Sequence, residues 1–346
     1  MRYYGCKTKL LDYIENVTTS LPLKKGAIFF DIFSGTTAVG QHFKKLGYTV
    51  YANDFLEFAY ALAYCYIQIN QTPKFIKLKR DLPKLSKADD VLNYLNNLPD
   101  KVDFITKNYS PFENNKRQYL SISNAKRVDA IRIKINEWSN KSLINKDEYC
   151  YLITALIEAI NLTSNVTGTY SAFLKTWDGR ALKPLKLVLP KIINSTRNNL
   201  AMNEDANLVV SKHNVDVLYL DPPYNSRQFA ANYFFLELIA KGWFDKKPEI
   251  YGQSGMIAYE EKKSFYSVKS KASEILSDLI NKAKAKYIIL SYNDEGIIPL
   301  NEIRKILSTR GTIKEYIKEH KRYRAINQDG SHVHTHELLF LVTVNK

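Results

Sequence analysis

The residues with the clearest chemical potential form a short apolar run that ends in an acid, two prolines and an aromatic residue. Residues 217–220 are apolar, and Asp221, Pro222, Pro223 and Tyr224 follow directly. Proline fixes φ and carries no N–H, so this loop is stiff and its carbonyls are free to accept hydrogen bonds. The residue before a proline is extended, which lets Asp221 project its carboxylate above the end of a strand. Two acceptors beside an aromatic face suit a planar group that carries an exocyclic amine.

A second candidate site lies near the amino terminus, where an acid and a glycine turn follow another apolar run. Residues 27–33 are apolar except for Asp31, and the turn at 34–37 contains Gly35. Asp54 lies about twenty residues beyond Gly35, the spacing at which a carboxylate binds ribose hydroxyls in nucleotide-binding folds. The turn lacks the third glycine of the dinucleotide fingerprint and the lysine of a P-loop, which disfavours NAD and ATP. An acid in this position suits a positively charged ligand such as S-adenosylmethionine.

These two sites must be positioned by the elements around them. Short apolar runs read as buried strands, and they alternate with segments whose apolar residues recur at helical spacing. The chain therefore predicts an α/β fold with a Rossmann-like sheet and a terminal β-hairpin. Beyond the two sites, helices are predicted near 55–69, 118–138, 147–160, 234–242, 262–284 and 299–308, and strands at 287–290, 312–317 and 338–344, the last two joined by a basic loop at 320–324.

The length of 346 residues predicts a core with one large insertion. We expect residues 1–70 and 201–346 to form the catalytic core and residues 71–200 to form an inserted, mostly helical region that recognises the target. The formal charge of +15 and the 24 tyrosines favour a nucleic-acid partner. Within the insertion, basic and aromatic residues that suit phosphate contacts and stacking are Lys175, Trp177, Arg180, Lys183 and Lys186.

The cysteine and histidine patterns argue against a metal site or a disulfide framework. Three cysteines are scattered without metal-ligand spacing, which predicts a reducing compartment. The alternating His332, His334 and His336 have no nearby cysteine or carboxylate cluster, so a polar loop is the better interpretation. No apolar segment approaches the length of a membrane span. The sequence therefore predicts a cytoplasmic protein that binds no metal and no membrane.

In their order along the chain, these motifs resemble those of the α-group, Dam-like DNA adenine methyltransferases, and in particular the branch of the FokI and NlaIII modification enzymes. The resemblance lies in the amino-terminal segment RYYGCK, the DIFSGTT turn, the DPPYNSRQ loop and the later SYNDEG segment. Two residues depart from the family pattern, since Thr37 replaces a glycine and Cys6 a small polar residue. The resemblance implies that S-adenosylmethionine is bound by Tyr3, Gly5, Lys7, Asp31, Phe33, Ser34, Gly35, Thr36, Asp54 and Asp205.

The resemblance also implies the reaction and the partners. The enzyme would transfer a methyl group from S-adenosylmethionine to the 6-amino group of adenine in double-stranded DNA, as the modification arm of a restriction–modification system with a cognate endonuclease. The catalytic residues would be Asp221, Pro222, Pro223 and Tyr224. The residues expected to bind DNA are Lys175, Trp177, Arg180, Lys183 and Arg227.

The residues leave other functions open. The same acceptors could bind the amine of a DNA cytosine, an RNA adenine or a protein glutamine, although the basic insertion disfavours a peptide. A catalytically silent DNA-binding protein or a nucleic-acid scaffold is a further alternative, against which the intact acids Asp31, Asp54 and Asp221 argue. Methylation at a cytosine ring carbon is excluded, because it requires a nucleophilic cysteine after a proline and no cysteine here follows one.

Overall fold

The computed structural model describes residues 5–85, 87–326 and 332–345, and it describes only the backbone of 319–326 and 332–335. Within these residues there are seven strands and thirteen α-helices. The strands are β1 (Ile28–Asp31), β2 (Thr49–Asn53), β3 (Leu200–Met202), β4 (Val215–Leu220), β5 (Ala285–Asn293), β6 (Gly311–Ile326) and β7 (His332–Val344). The helices are α1 (Leu11–Thr19), α2 (Ala38–Lys45), α3 (Glu57–Ala63), α4 (Ile76–Asp81), α5 (Ala88–Asn96), α6 (Phe104–Tyr109), α7 (Ile122–Asn140), α8 (Lys146–Thr163), α9 (Ala206–Val209), α10 (Phe229–Asn232), α11 (Phe234–Lys241), α12 (Ala272–Lys282) and α13 (Leu300–Ser308).

The strands form one mixed sheet in the order β3-β2-β1-β4-β5-β7-β6. The first five strands pair in parallel, whereas β7 pairs antiparallel with both β5 and β6. The central strands are continuous apolar runs because both faces of a parallel sheet are covered, and Phe29, Phe30 and Leu218 are buried there. The predicted α/β class, with a Rossmann-like sheet and a terminal β-hairpin, is confirmed.

The order of the strands determines where a ligand can bind. The chain moves outward from β1 to β2 and β3, and it then returns to the other side of β1 with β4. Such a switch point leaves a crevice beyond the carboxyl ends of the two adjacent strands. Asp31 is the last residue of β1, and its partner in β4 is Tyr219, two residues before Asp221. The two acids singled out in the sequence therefore lie at the same edge of the sheet.

The chain forms two compact units. The sheet unit consists of Lys7–Phe55, Arg197–Phe229 and Lys263–Lys346, and the helical unit consists of Met1–Cys6, Leu56–Thr196 and Ala230–Lys262. These divisions differ from the boundaries predicted from composition, because α3 and the segment 230–262 belong to the helical unit. The assignment of target recognition to residues 71–200 stays a prediction.

The helical unit is built around two long helices with clear capping signals. The Ser121 side chain accepts a hydrogen bond from the Asn124 N–H at the start of α7. At the start of α8, Asn145 and Glu148 form a reciprocal capping box, which satisfies two backbone N–H groups. Both helices were predicted: α7 begins four residues later than predicted and ends two residues later, and α8 begins one residue earlier and ends three residues later. After α8, residues 164–199 form neither helix nor strand.

Two local predictions are wrong. The helix predicted at 262–284 begins only at Ala272, because turns occupy the preceding residues and the backbone of Ser264 is bound by a side chain from another segment. The basic stretch 320–324 was predicted as a loop but lies within β6, where the hairpin pairing continues to Ile326 opposite His332. The side chains of 319–335, including His332 and His334, lie outside the described residues.

The described residues contain no helix that is both long and apolar enough to cross a membrane. They also contain no group of three or more histidine, cysteine, aspartate or glutamate side chains that could hold a metal ion.

Candidate active site

Asp221 follows the last residue of β4 and forms an ion pair with a buried lysine. The Nζ atom of Lys7 lies 3.3 Å from Asp221 Oδ1 and 3.2 Å from Glu337 Oε2. Lys7 belongs to a 3-10 turn at Lys7–Leu10, and Glu337 lies on β7, so the sheet unit brings together residues from near both ends of the described sequence. The sequence assigned Lys7 to the cofactor, whereas the structure shows it against the predicted catalytic acid.

This environment changes the acidity of Asp221. The pKa of its carboxyl group is raised to about 6, because burial and the Glu337 carboxylate together raise it by more than the Lys7 ammonium lowers it. For Lys7, burial lowers the pKa, but Asp221 and Glu337 together raise it well above its ordinary range. Near neutral pH the cluster therefore consists of one ammonium and an ionised Asp221 carboxylate, which can accept a hydrogen bond from a substrate amine.

Tyr224 presents its ring beside these charges. The Lys7 ammonium lies 5.5 Å from the ring centroid, and the ring packs edge-to-face against Tyr292 at 6.1 Å. The Tyr224 carbonyl accepts a hydrogen bond of 2.9 Å from the Ile297 N–H, and the Tyr292 hydroxyl accepts one of 3.0 Å from the Ile298 N–H. The end of β5, which carries Tyr292, and the residues that follow the SYNDEG segment thus fix the aromatic residue after the two prolines.

The loop after Tyr224 is held by a clamp, which we define as Gln228 and the segment Ser264–Ser267. The Gln228 side chain donates to the Ser264 carbonyl at 3.0 Å and accepts from the Ser264 N–H at 2.8 Å. The Ser267 hydroxyl donates to the Arg227 carbonyl at 3.2 Å. Three hydrogen bonds therefore order the end of the DPPYNSRQ loop, which in most loops would be mobile.

The glycine turn after β1 is held against the end of β2. The Ser34 N–H donates to the Asn53 carbonyl, and the Gly35 N–H donates to Asp54 Oδ2, both at 2.9 Å. Thr37 has a φ of 64°, a left-handed conformation that favours glycine. This explains why the family pattern has glycine at the position where this chain carries threonine.

Asp31 makes the surroundings of this turn strongly acidic. Its carboxyl group is 2% exposed, and burial together with the nearby Asp221 and Asp54 carboxylates raises its pKa to about 8, although a hydrogen bond from the Gly40 N–H lowers it. A cation bound here would offset the repulsion among the three acids. Among the described residues, the buried Ser34 hydroxyl has no hydrogen-bond partner, so it is available to a ligand. These residues fit a positively charged methyl donor.

The remaining predicted cofactor residues lie around the same turn. Phe33 packs edge-to-face on Tyr266 at 5.0 Å, and the Tyr266 hydroxyl donates to Asn207 Oδ1 at 2.7 Å. Asp205 caps α9, because its Oδ1 accepts from the N–H groups of Asn207 and Leu208. Asp205 is thus at the expected end of the sheet, next to the aromatic pair.

The remaining predicted residues are not described as members of this cluster. Tyr3 lies outside the described residues, and Gly5 belongs to the helical unit. Arg180 is held by its own segment, since its guanidinium donates to Asp178 and to the carbonyls of Asn161 and Val166. The other residues predicted to bind DNA are Lys175, Lys183 and Arg227, which are exposed, and Trp177, which is half-buried.

Three residues of the site were missed by the sequence analysis, namely Glu337, Gln228 as a clamp and Tyr266. Glu337 directly precedes the apolar run 338–344, the same arrangement of an acid beside a buried strand that drew attention to Asp31. This pattern could have identified Glu337 from the sequence. Nothing in the sequence indicated that Gln228 binds Ser264, because the two residues are 36 positions apart.

Comparison with known proteins agrees with this geometry. The family model of the D12 class N6 adenine-specific DNA methyltransferases matches residues 3–306. The chain is 41% identical to the type II methyltransferase M.FokI of Planomicrobium okeanokoites, over 99% of this chain and 52% of that protein. It is 38% identical to the modification methylase StsI of Streptococcus sanguinis, with the same coverage. It is 34% identical to the type II methyltransferase M.NlaIII of Neisseria lactamica, over 94% of this chain and 93% of that protein.

The chain spans about half the length of M.FokI and StsI and nearly all of M.NlaIII. The family match covers both acidic strand ends, the glycine turn and the DPPY loop, which are the features that the sheet unit assembles at one edge. The chain belongs to the D12 class of N6 adenine-specific DNA methyltransferases.

Proposed function

We propose that this chain transfers a methyl group from S-adenosylmethionine to the 6-amino group of adenine in double-stranded DNA, at a specific sequence. The observation that carries the proposal is the Asp221 carboxylate, paired with Lys7 at the end of β4 and next to the Pro222 carbonyl and the Tyr224 ring, at the same sheet edge as the acidic glycine turn. M.FokI and M.NlaIII are named as type II methyltransferases, which supports a role as a modification enzyme paired with an endonuclease.

The two acceptors account for activation of the amine. The lone pair of an adenine amine is delocalised into the ring, so the amine is a poor nucleophile. If Asp221 Oδ1 and the Pro222 carbonyl accept its two N–H groups, the nitrogen becomes pyramidal and its lone pair points away from the ring. Fixed acceptors and correct positioning supply most of the acceleration in such a direct displacement. No covalent enzyme intermediate is required.

The cofactor would supply an electrophilic methyl group on a sulfonium. Asp31 would face the positive charge of this ligand, Asp54 the ribose hydroxyls, and Phe33 with Asp205 the adenine. In the absence of the cation, burial and two neighbouring carboxylates raise the pKa of Asp31, so ligand charge favours its ionised form. Lys175, Trp177, Lys183 and Arg227 remain our candidates for DNA contacts, and Arg180 would act by shaping the segment that carries three of them.

The direct test is methyl transfer by Asp221→Asn. The amide keeps the size of the side chain but loses the charge, so we expect transfer from labelled S-adenosylmethionine to fall by about 100-fold or more. Cofactor binding, measured by calorimetry, should change much less. The matched control is Asp216→Asn at the other end of β4, where the carboxylate binds the Ile28 N–H and Lys286.

The control should retain transfer even if its thermal stability falls. Sequencing of the methylated DNA from a host that lacks other methyltransferases would give the recognition site, and resistance of that DNA to cleavage would test the role as a modification enzyme. Near-normal turnover by Asp221→Asn, or incorporation of label into RNA or protein instead of DNA, would refute the proposal.

A further inference from the structure

One buried charge cluster in the sheet unit is not explained by the reaction alone. Lys7 is 5% exposed, and its ammonium lies between the carboxylates of Asp221 and Glu337 at 3.3 Å and 3.2 Å. Glu337 comes from β7 and lies 330 residues from Lys7 along the chain. Its side chain is 10% exposed, so it is not a solvated surface acid that happens to approach a lysine.

The Lys7 ammonium makes the contacts that we have proposed for the target base. It approaches Asp221 Oδ1, where the adenine amine would donate a hydrogen bond, and it lies 5.5 Å from the centroid of the Tyr224 ring, on which the base would stack. Both groups cannot occupy this position together. The inference rests on the proposed function, because it assumes that an amine reaches Asp221.

An exchange of this kind would be unfavourable if Lys7 had only one partner. A buried ammonium that loses its carboxylate is left as an uncompensated charge in a medium of low polarity. Glu337 prevents this, because it is already within hydrogen-bond distance of Lys7 Nζ. The lysine can turn from one carboxylate to the other without leaving the cluster.

We propose that Glu337 is a positioning residue, which keeps Lys7 paired while Asp221 exchanges the Lys7 ammonium for the amine of the target base. One N–H···O contact breaks and another forms, and no proton or electron is transferred. The cluster keeps a single ammonium and two carboxylates throughout. Glu337 itself does not touch the reacting atoms.

Other titratable groups face this cluster, and they set the direction of the pH dependence. Asp31 and Tyr219 lie near Asp221, and Tyr224 lies beside Lys7. Because transfer requires the Asp221 carboxylate, whose pKa is raised to about 6, activity should fall as the pH drops through that value. Glu337 raises this pKa and Lys7 lowers it. Removing the Glu337 charge should therefore shift the acid limb, which is the low-pH side of the plot of rate against pH, to lower pH. Removing the Lys7 charge should shift it to higher pH.

The first variant is Glu337→Gln. Without the Glu337 charge, the pKa of Asp221 falls, so the acid limb of the rate profile should move to lower pH. At pH 8, where Asp221 is ionised in both proteins, turnover should nevertheless fall at least tenfold, because Lys7 now has Asp221 as its sole anionic partner in the cluster and gives it up less readily. If Glu337 acted only through packing, its replacement would not both shift the acid limb to lower pH and slow turnover at pH 8.

A double-mutant comparison separates the two charges. Lys7→Met should move the acid limb to higher pH, because it removes the charge that lowers the Asp221 pKa. Adding Glu337→Gln to Lys7→Met should move the limb back towards lower pH. The matched control is Glu315→Gln on the neighbouring strand β6, where the carboxylate forms an exposed pair with Arg304 and should leave the profile unchanged.

A measurement without DNA distinguishes this proposal from the proposed function. NMR of selectively ¹³C-labelled lysine reports the titration of Lys7, which should stay charged well above its ordinary pKa in the wild type and titrate at lower pH in Glu337→Gln. If the Lys7 titration shifts but neither the acid limb nor turnover at pH 8 changes, the positioning role is refuted while the methyltransferase activity stands. If Lys7 titrates normally in the wild type, the cluster itself is refuted. If the wild type methylates no DNA, the proposed function fails and the positioning role fails with it.

Discussion

Tyr224 offers the ring on which an extruded adenine can stack. In a duplex the target amine is paired with thymine, so the base must leave the helix at a cost of a few kcal/mol. Aromatic stacking returns about 1–3 kcal/mol, which corresponds to roughly 5- to 150-fold in an equilibrium constant. The Tyr224 ring is fixed by Tyr292 and by the backbone of Ile297, so it is already in place for the base.

We therefore expect Tyr224→Ala to lose about 5- to 150-fold in turnover on cognate duplex, whereas Tyr224→Phe should keep most of it because the ring remains. Binding titrations should also show that a mismatch opposite the target adenine tightens DNA binding, since part of the extrusion cost is already met. Normal turnover of Tyr224→Ala together with no gain from the mismatch would mean that the base stacks elsewhere.

At the level of single residues, the sequence predicted the acids that follow apolar strands but not their partners. Asp31, Asp54 and Asp221 stand out because each ends a buried run, which is a local signal. The pairing of Lys7 with Glu337 is a contact across 330 residues, and no local pattern encodes it. At Thr37 the sequence shows a difference from the family pattern, a threonine in place of a glycine. The structure shows why glycine suits this position, because the φ of Thr37 is 64°.

Among the structural elements, the clamp formed by Gln228 and Ser264–Ser267 connects the catalytic loop to the turn that carries Tyr266. Two hydrogen bonds from one side chain contribute about 1–3 kcal/mol together. We expect Gln228→Met, which keeps the length of the side chain, to lower the free energy of unfolding by no more than this amount. Turnover should fall several-fold because the loop that holds Tyr224 becomes mobile.

Chemical denaturation and steady-state methyl transfer measure the two effects separately. Gln253→Met is the control, because Gln253 is exposed and its side chain lies in the helical unit. If Gln228→Met is destabilised but transfers methyl groups at the wild-type rate, the order of this loop does not limit the reaction.

Predictions of elements succeeded where periodicity was strong. Helices α7, α8 and α13 appear close to the predicted ranges because their apolar residues repeat at helical spacing over several turns. The prediction at 262–284 failed because apolar residues such as Phe265 continue the same spacing through a segment whose backbone is bound by Gln228. Long-range hydrogen bonds override local propensity, and they are invisible in a window of sequence.

At the scale of the whole chain, we expect DNA binding to depend strongly on salt, because the formal charge is +15. Lys175, Lys183 and Lys186 are exposed in the irregular segment 164–199. If each contacts a phosphate, replacing all three with glutamine should reduce the slope of log K against log salt concentration by up to about 3 units. Binding titrations at several salt concentrations give this slope directly.

The control is a triple variant of Lys282, Lys284 and Lys305, which are exposed at the start of β5 and in the last turns of α12 and α13. These positions lie at the edge of the sheet unit opposite to Asp221, so their neutralisation should leave the slope close to the wild-type value. Equal changes in the two triple variants would indicate that net charge alone, rather than a specific surface, governs the affinity.

The domain organisation was the least accessible property. Composition separates a Lys-, Asn- and Tyr-rich middle from the rest, and it led to a division at residues 70 and 201. Each compact unit instead consists of three separate segments, and α3 and residues 230–262 belong to the helical unit. The unit to which a segment belongs depends on which apolar faces pack together in three dimensions, and composition does not determine this packing.

The position of β7 affects how the protein can be made in the cell. This strand is the last in the sequence, yet it lies between β5 and β6 in the sheet. A ribosome that adds about 5–20 residues per second needs roughly 3–10 s to pass from the end of β5 to the end of β7. During that interval the nascent chain carries β5 with an unpaired edge, which is open to association with other chains. Because β7 also supplies Glu337, the charge cluster with Lys7 and Asp221 can form only after this strand has been synthesised and has inserted between β5 and β6.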